Sequence, residues 1–412
     1  MNKYDITIVG GGTAGCACAY IAGKLGLKVL LIEKNSFLGG SITSSLVVPA
    51  MKTSENAINT DFFDALYNKL HSIGGAITYS DGNKGWFNPE LTKIVLDEMM
   101  QEAHVEIQFE SYIEKIEEKL LSYIVTINGN NNSLFENALL SPIDTKYLVD
   151  ATGDAKICEK LNCEFLEKKS QPINLRFIMS GVNVEKFSNW IMEFDKDRDV
   201  TTSCVVDGKT YLSTAYTWDN GRNWALKPLF KHAIQDGVIT EADSNYFQLF
   251  SVAGTSDSIA FNCPRLLNLQ NPYIEGRASI LRLSNFCKKY LKGFENAYIS
   301  NIANSLGVRV SNRVKGKYVY AKEDLKSGKK FEHPVVISNY PIDIHSDKKD
   351  ASKLESVYQE YQLPIESLIV KNNLFVVGRC ILIDFEAQGA LRIIPSCFSM
   401  GEGLAKYLKE II

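Results

Sequence analysis

Three glycines at fixed spacing and one acid are the residues of this chain with the clearest chemistry. Gly10, Gly12 and Gly15 stand as G-x-G-x-x-G within Gly10-Gly11-Gly12-Thr13-Ala14-Gly15, and Glu33 follows. Gly10 permits a tight turn, Gly12 lets a diphosphate approach the backbone, and Gly15 lets a helix pack closely on a strand. Glu33 sits where a carboxylate can accept both hydroxyls of an adenosine ribose, and it would repel a 2′-phosphate. The chemistry implied is the holding of a dinucleotide.

The surrounding elements fit that task. Asp5-Ile6-Thr7-Ile8-Val9 reads as a short apolar strand that runs straight into the first glycine. Cys16 to Leu25 reads as a helix of small and apolar residues, whose N-terminus offers unpaired N–H groups and partial positive charge to a phosphate. After Gly26, Lys28-Val29-Leu30-Leu31-Ile32 reads as a second strand ending at Glu33. Together they make a complete βαβ unit.

Composition narrows the class. The chain has 412 residues, enough for two or three cores or for one large α/β domain with an insertion. A net charge of −3 gives no reason to expect a nucleic-acid partner or a membrane surface. No apolar run reaches the length of a membrane span, and the first residues read as a strand rather than a signal peptide, so the expected location is cytoplasmic. Nine cysteines and five histidines are scattered with no C-x-x-C and no ligand spacing, which leaves a metal site or a redox pair without support. Cys16 and Cys18 read as packed thiols of the first helix.

Farther along, Asp61–Ser72 reads as an amphipathic helix, and Asn88-Pro89 as an N-cap followed by Pro at the first helical position. Val105–Phe109 reads as the next strand of the nucleotide sheet. Ile113 to Leu148 reads as a β-meander, with a hairpin expected at Asn128-Gly129-Asn130-Asn131-Asn132. Val149-Asp150-Ala151-Thr152-Gly153 is a strand ending in a second close-approach turn. From Pro172 to Phe331 aromatic residues become frequent, among them Tyr216, Trp218, Trp224, Tyr246 and Phe247, with no nucleotide fingerprint. The aromatic run from Trp218 to Phe250 reads as core rather than as a cofactor box. Two helices, Glu275–Leu291 and Phe294–Ser305, and a strand, Val308–Tyr320, are expected to close this part. Leu374–Gly378 is a further strand ending in Gly, followed by a Gln388-Gly389-Ala390 turn and a helix over Ser396–Ile411.

These features together resemble the FAD-dependent oxidoreductases of the glutathione-reductase-type fold. The resemblance rests on Gly10–Gly15 with Glu33, Gly39-Gly40, Ala151-Thr152-Gly153-Asp154, Glu275-Gly276-Arg277, Gly307–Val314, Asp343-Ile344-His345, and Val377-Gly378-Arg379-Cys380 through Cys397. It implies an α/β fold: a Rossmann-like FAD-binding domain, with a central parallel sheet, helices and a β-meander, carrying an inserted α+β substrate domain. Residues 1–171 and 332–412 would form the FAD-binding domain and 172–331 the insertion.

Carried over by position, the resemblance implies non-covalent FAD with its diphosphate on Gly10, Gly12, Thr13, Ala14 and Gly15. Glu33 and Lys34 would hold the adenosine ribose, and the Ile113 backbone the adenine edge. Gly40 and Ser41 would lie along the ribityl side, with Ala151, Thr152 and Gly153 as a second close backbone. Gly378 and Arg379 would approach the diphosphate and ribityl chain, and Gly389, Ala390 and Arg392 the isoalloxazine.

Flavin carries the electrons, so protein groups need to bind, orient and move protons. His345 has two readings, a proton-transfer group or a satisfied interface histidine. Arg265 reads as a clamp for a substrate carboxylate or as an interdomain ion pair. Cys380 reads as a modifier of the flavin or as packing, and Arg309 and Arg313 as a solvated strand edge or as domain clamps. The function expected is a dehydrogenase or reductase moving a hydride between flavin and a small-molecule substrate. The alternatives are a flavin-dependent monooxygenase and a non-catalytic redox subunit. No second G-x-G-x-x-G and no Trp-x-Trp-x-Ile-Pro occurs, so electrons are expected from the substrate, from a redox partner protein, or from transiently docked NAD(P)H.

Overall fold

The computed structural model describes residues 2–129, 142–214, 225–267, 270–346, 353–357 and 359–412. It is a mixed α/β structure organised around two large sheets. The first has eight strands, with Ile369–Lys371, Leu374–Val376, Ile143–Asp150, β1 (Lys3–Val9), β2 (Val29–Ile32) and Glu106–Gln108 side by side. The inner pairs are all parallel. Every residue of β2 is buried, as a parallel strand covered on both faces requires. Register aligns the strand ends: Val9 lies opposite both Ile32 and Asp150, and Val376 lies opposite Asp150. Gly10, Glu33, Ala151 and Val377 therefore leave the sheet at one carboxyl edge, where open parallel sheets place their ligands.

Helix α1 (Thr13–Lys24) joins β1 to β2, and every residue from Ala14 to Ala22 is buried. The cause is a second helix, Ile394–Ile411, laid along it. A Cβ on Gly401 would overlap the Ala14 carbonyl and touch Cys18 and Ala17, so the two backbones are in contact. Cys397 sits beside Thr13, which makes the helices parallel and brings both N-termini to the same end. Helix Pro89–Glu102 starts as its sequence requires, with the Asn88 side chain accepting from the Glu90 and Leu91 amides.

The second sheet is antiparallel and six-stranded, in the order Thr201–Val206, Lys209–Thr214, Leu249–Ser251, Ile259–Phe261, Phe177–Ser180, Tyr298–Ile302. Phe230, Phe247, Phe261 and Phe286 pack at its centre, with Phe230 and Phe286 centroids 4.2 Å apart. That agrees with a core role for this aromatic run; Tyr216, Trp218 and Trp224 lie outside the described residues.

Three local expectations are corrected. Phe294–Ser305 holds an edge strand, Tyr298–Ile302, paired to Phe177–Ser180, and no helix. Val308–Tyr320 is not a strand: its amides bond to scattered carbonyls, Val314 to Cys380, Lys315 to Glu164 and Tyr320 to Leu382. Gln388–Ala390 belongs to a helix, Phe385–Leu391, rather than a turn. The meander reverses first at Lys119–Ser122, whose amide and carbonyl bond at 2.9 Å; Asn128 and Gly129 end its second strand, which pairs antiparallel with Ile143–Asp150, and the rest of the expected hairpin, Asn130 to Asn132, lies outside the described residues.

Candidate active site

At the carboxyl edge of the parallel sheet the backbone forms a cradle. Gly10 has φ +107°, and a Cβ there would stand 2.5 Å from the Ala151 carbonyl oxygen. A Cβ on Gly15 would overlap the Gly10 carbonyl. Gly12 is different: a Cβ there would meet nothing within 4 Å. It is the open floor of the cradle, as a backbone approached by a diphosphate must be. Gly40, at φ +51°, abuts the Gly12 Cα, and Gly378, at φ +83°, faces Ala14. The parallel N-termini of α1 and Ile394–Ile411 add their partial positive charge at the same end. Glycine cradle, buried acid and paired helix ends fit the FAD that the motifs imply.

Glu33 marks one end. It is 5 % exposed, and its Oε2 accepts from the Gly11 amide at 2.7 Å. Its Oε1 accepts from the Asn35 amide at 2.8 Å and from Asn35 Nδ2 at 2.7 Å. Burial pushes this carboxyl upward, and the donors from Asn35 and Gly11 oppose it. The Ser111 amide donates to the Glu33 carbonyl at 3.0 Å, which brings the strand bearing Ile113 alongside; Lys34 follows directly.

Asp150 had no role in the sequence reading, yet it builds the second close turn. Fully buried, it accepts from Thr152 Oγ1 at 2.7 Å and from the Thr152, Ile157 and Cys158 amides at 2.8–3.1 Å. Arg379 locks the result: its guanidinium donates to the Gly153 carbonyl at 2.9 Å, the Val308 carbonyl at 2.6 Å and Asp154 at 2.6 Å. Here Arg379 acts on the protein's own turn. Cys380 is buried and its thiol is pushed up by burial, so packing accounts for it.

From Gly40 and Ser41 the chain runs to a second cluster. Ser44 and Ser45 meet Ser305 at 2.7 and 3.0 Å, and the Ser45 carbonyl accepts from Arg176 at 3.4 Å. Arg392, at the end of helix Phe385–Leu391, donates to both the carbonyl and Oδ2 of Asp343 at 3.0 Å. Gly389 is small for a related reason, since a Cβ would come 3.1 Å from the Asp343 carbonyl. Its neighbour Ala390 is fully buried.

His345 and Arg265 are brought together here. Arg265 Nη2 lies 3.1 Å from His345 Nδ1, and His345 Nε2 lies 3.3 Å from Asp343 Oδ2. The His345 amide donates to Gln171 Oε1 at 3.0 Å, and the Arg265 guanidinium stacks 4.3 Å over Tyr246. Burial, then the nearby Arg309, lowers the His345 pKa to about 4, so the ring is neutral near pH 7. Burial opposes charge on Asp343, but His345, Arg392 and Arg309 hold its carboxyl below the usual carboxylate range.

Arg309 and Arg313 are 8 % and 4 % exposed, so neither lies on a solvated edge. Arg309 donates to the Pro172 carbonyl at 2.8 Å, and Arg313 to the Glu167 and Ile383 carbonyls at 2.5 and 3.3 Å. Arg176, Tyr246 and Gln171 are locally ordinary and gave no sign of a site role in the sequence, and Arg309 read only as a strand edge or a domain clamp. Among the described residues there is no cluster of metal-ligating side chains and no helix long and apolar enough to cross a membrane.

Comparison with known proteins agrees with this geometry. The chain is 25 % identical over 267 residues to a putative bifunctional amine oxidase of Dictyostelium discoideum, covering 60 % of this chain and 23 % of that protein. It is 54 % identical over 39 residues to a glycerol 3-phosphate oxidase of Mycoplasma genitalium, a tenth of each chain. The chain thus spans less than a quarter of the length of either relative. The solved p-nitrophenol 4-monooxygenase PnpA of Pseudomonas putida shares the fold, with a TM-score of 0.51 at 12 % identity, over 100 % of this chain and 80 % of that one. A family model described as FAD dependent oxidoreductase matches residues 5–407. With glycine cradle, ribose-side acid and paired helix ends in place, the chain belongs to the FAD-dependent oxidoreductases, enzymes whose cofactor is FAD.

Proposed function

We propose that this enzyme is a dehydrogenase or reductase that moves a hydride between flavin and a small organic substrate held beside His345 and Arg265. The observation that carries the reading is a neutral, buried imidazole spanned by Arg265 and Asp343, next to the helix that ends in Arg392. When bound, FAD supplies a two-electron acceptor or donor. Gly10, Gly12, Thr13, Ala14 and Gly15 would hold its diphosphate, with Glu33, Lys34 and the Ile113 backbone at the adenosine end. Gly40, Ser41, Ala151, Thr152, Gly153, Gly378 and Arg379 would follow its length, and Gly389, Ala390 and Arg392 would meet the ring.

Arg265 anchors an anionic group of the substrate. In turning to it, the guanidinium leaves His345 Nδ1, whose lone pair then takes or returns the substrate proton while Asp343 steadies the ring at Nε2. The same reading divides the chain into FAD-binding segments 1–171 and 332–412 around a substrate domain, 172–331, in a glutathione-reductase-type arrangement. Electrons come from the substrate, a redox partner protein or docked NAD(P)H.

Anaerobic photoreduction of the holoenzyme, followed by mixing with oxygen or with organic acceptors, tests the proposal. Slow reoxidation by oxygen and fast reoxidation by an organic acceptor support it. Rapid reaction with oxygen coupled to hydroxylation of an added substrate would replace it with the monooxygenase reading.

A further inference from the structure

Four guanidiniums cluster here: those of Arg265, Arg309 and Arg392 face His345, and that of Arg176 faces Arg309 and Arg392. Asp343 is the one carboxylate that faces them among the described residues, and Arg392 already pairs with it at 3.0 Å. Arg265 contacts His345 and stacks on Tyr246. Arg176 and Arg309 have no ion-pair partner among the described residues. Their side-chain hydrogen bonds go to main-chain carbonyls, Ser45 at 3.4 Å and Pro172 at 2.8 Å. Both residues are buried, at 9 % and 8 % exposure, and they face one another. The other titratable neighbours do not supply negative charge: Tyr246 and Tyr340 are buried phenols held neutral, and burial keeps the Cys263 thiol protonated.

Guanidinium stays charged in proteins, so four cations share the single Asp343 carboxylate here, and two of them, Arg176 and Arg309, are buried without an ion pair of their own among the described residues. Two donors beside them also lack acceptors. Gln171 Nε2 and Arg392 Nε are buried without hydrogen-bond partners, and Gln171 is fixed at this spot by accepting from the His345 amide. A group that carries negative charge and only accepts hydrogen bonds completes the cluster. Water would satisfy the donors and leave the charge.

We propose that Arg176 and Arg309, with Arg265 and Gln171, recognise a substrate that is an organic oxyanion with two negative charges, a dicarboxylate or a phosphate monoester. The proposal rests on the reading of His345 as a substrate-side group and adds the substrate's charge and class. Two cations without an ion pair of their own match two negative charges. Planar guanidiniums suit carboxylate and phosphate oxygens alike. The route from cradle to cluster, Gly40 to Ser44 and Ser45 to Arg176, places the anion at the end of the cofactor opposite Glu33.

The test is titration of the purified holoenzyme with succinate, glutarate and glycerol phosphate, against butyrate, inorganic phosphate and neutral butanediol. Binding is followed by the flavin difference spectrum and by the melting temperature. A dianion should bind about tenfold or more tightly than the matched monoanion, saturably, with a flavin spectral change. Stronger binding by dicarboxylates or by the phosphate ester assigns the class. Equal weak binding of all anions, or none, overturns the proposal. Arg309→Met and Arg176→Met supply the second arm. Relief of an uncompensated buried charge should hold or raise the melting temperature without ligand and abolish the dianion's stabilisation. A large fall in melting temperature with dianion binding intact would make these arginines purely structural and overturn it. Dianion binding that leaves the flavin spectrum unchanged would keep the anion site but remove it from the flavin. Turnover of an uncharged substrate with no dianion binding would leave the hydride-transfer reading standing without this one.

Discussion

Replacing His345 by glutamine isolates the cost of protonating an imidazole inside the arginine cluster. The amide has the same hydrogen-bonding pattern as the neutral ring, an acceptor for Arg265 and a donor for Asp343, but it does not titrate. In the unfolded chain the imidazole takes up its proton near pH 6.5, whereas in the fold burial and Arg309 delay this to about pH 4. Between these values the unfolded state binds more protons, so stability rises with pH across the window and is lost as pH falls through it. At pH 5 the imbalance is worth about 2 kcal/mol, and below pH 4 it approaches about 3 kcal/mol. Urea unfolding of wild type and His345→Gln at pH 8 and pH 5 reads it directly. Contributions from other groups are shared, so the wild type should lose about 2 kcal/mol more than the variant over that interval. Parallel losses would show that the imidazole titrates as if in water, and the buried contacts with Arg265 and Asp343 would then be wrong.

Further outcomes follow from the same geometry. Gly12→Ala should leave the melting temperature of the flavin-free protein nearly unchanged, since its Cβ meets nothing within 4 Å, yet sharply weaken FAD binding; Gly15→Ala should destabilise the fold itself. Glu33→Gln should weaken FAD binding about ten- to a hundredfold by equilibrium titration, the loss of a charge-assisted bond worth about 1.5–3 kcal/mol. In steady-state kinetics Arg265→Ala should chiefly raise KM and His345→Ala chiefly lower kcat, and equal small effects would place neither beside the substrate. Because the Ala303 amide donates to the Arg176 carbonyl at 2.9 Å, a short turn can replace residues 177–302; the product should keep its flavin absorbance and lose turnover.

What could be read from the sequence was what local chemistry determines. The glycine cradle, the acid after β2 and the Asn88-Pro89 helix start depend on a handful of adjacent residues, and each stands where its pattern indicates. Tyr298–Ile302 was misread as helix because Phe294, Ala297 and Ile302 allow a helical period; pairing with Phe177–Ser180 decides otherwise. Val308–Tyr320 alternates like a strand, but Gly316 is pressed against the Ile369 carbonyl and the backbone bonds go elsewhere. Arg265, Arg309 and Arg392 could each be singled out from the sequence, Arg176 could not, and nothing in it indicated that the four cluster. They stand at 176, 265, 309 and 392, and only the tertiary fold makes them neighbours.

The parallel pairing of α1 with Ile394–Ile411 has a consequence for how the enzyme is made. Some 370 residues separate the two helices, and the strand Leu374–Val376 that flanks the cradle is nearly as late. At about 5–20 residues per second the ribosome needs tens of seconds to bridge that interval. Throughout it, the βαβ unit is synthesised but lacks the helix that covers the apolar face of α1. FAD therefore meets a finished cradle only after helix Ile394–Ile411 has emerged. The early chain waits in a form exposed to premature association, and flavin supply should act on the yield of native enzyme once that helix has been made, not before.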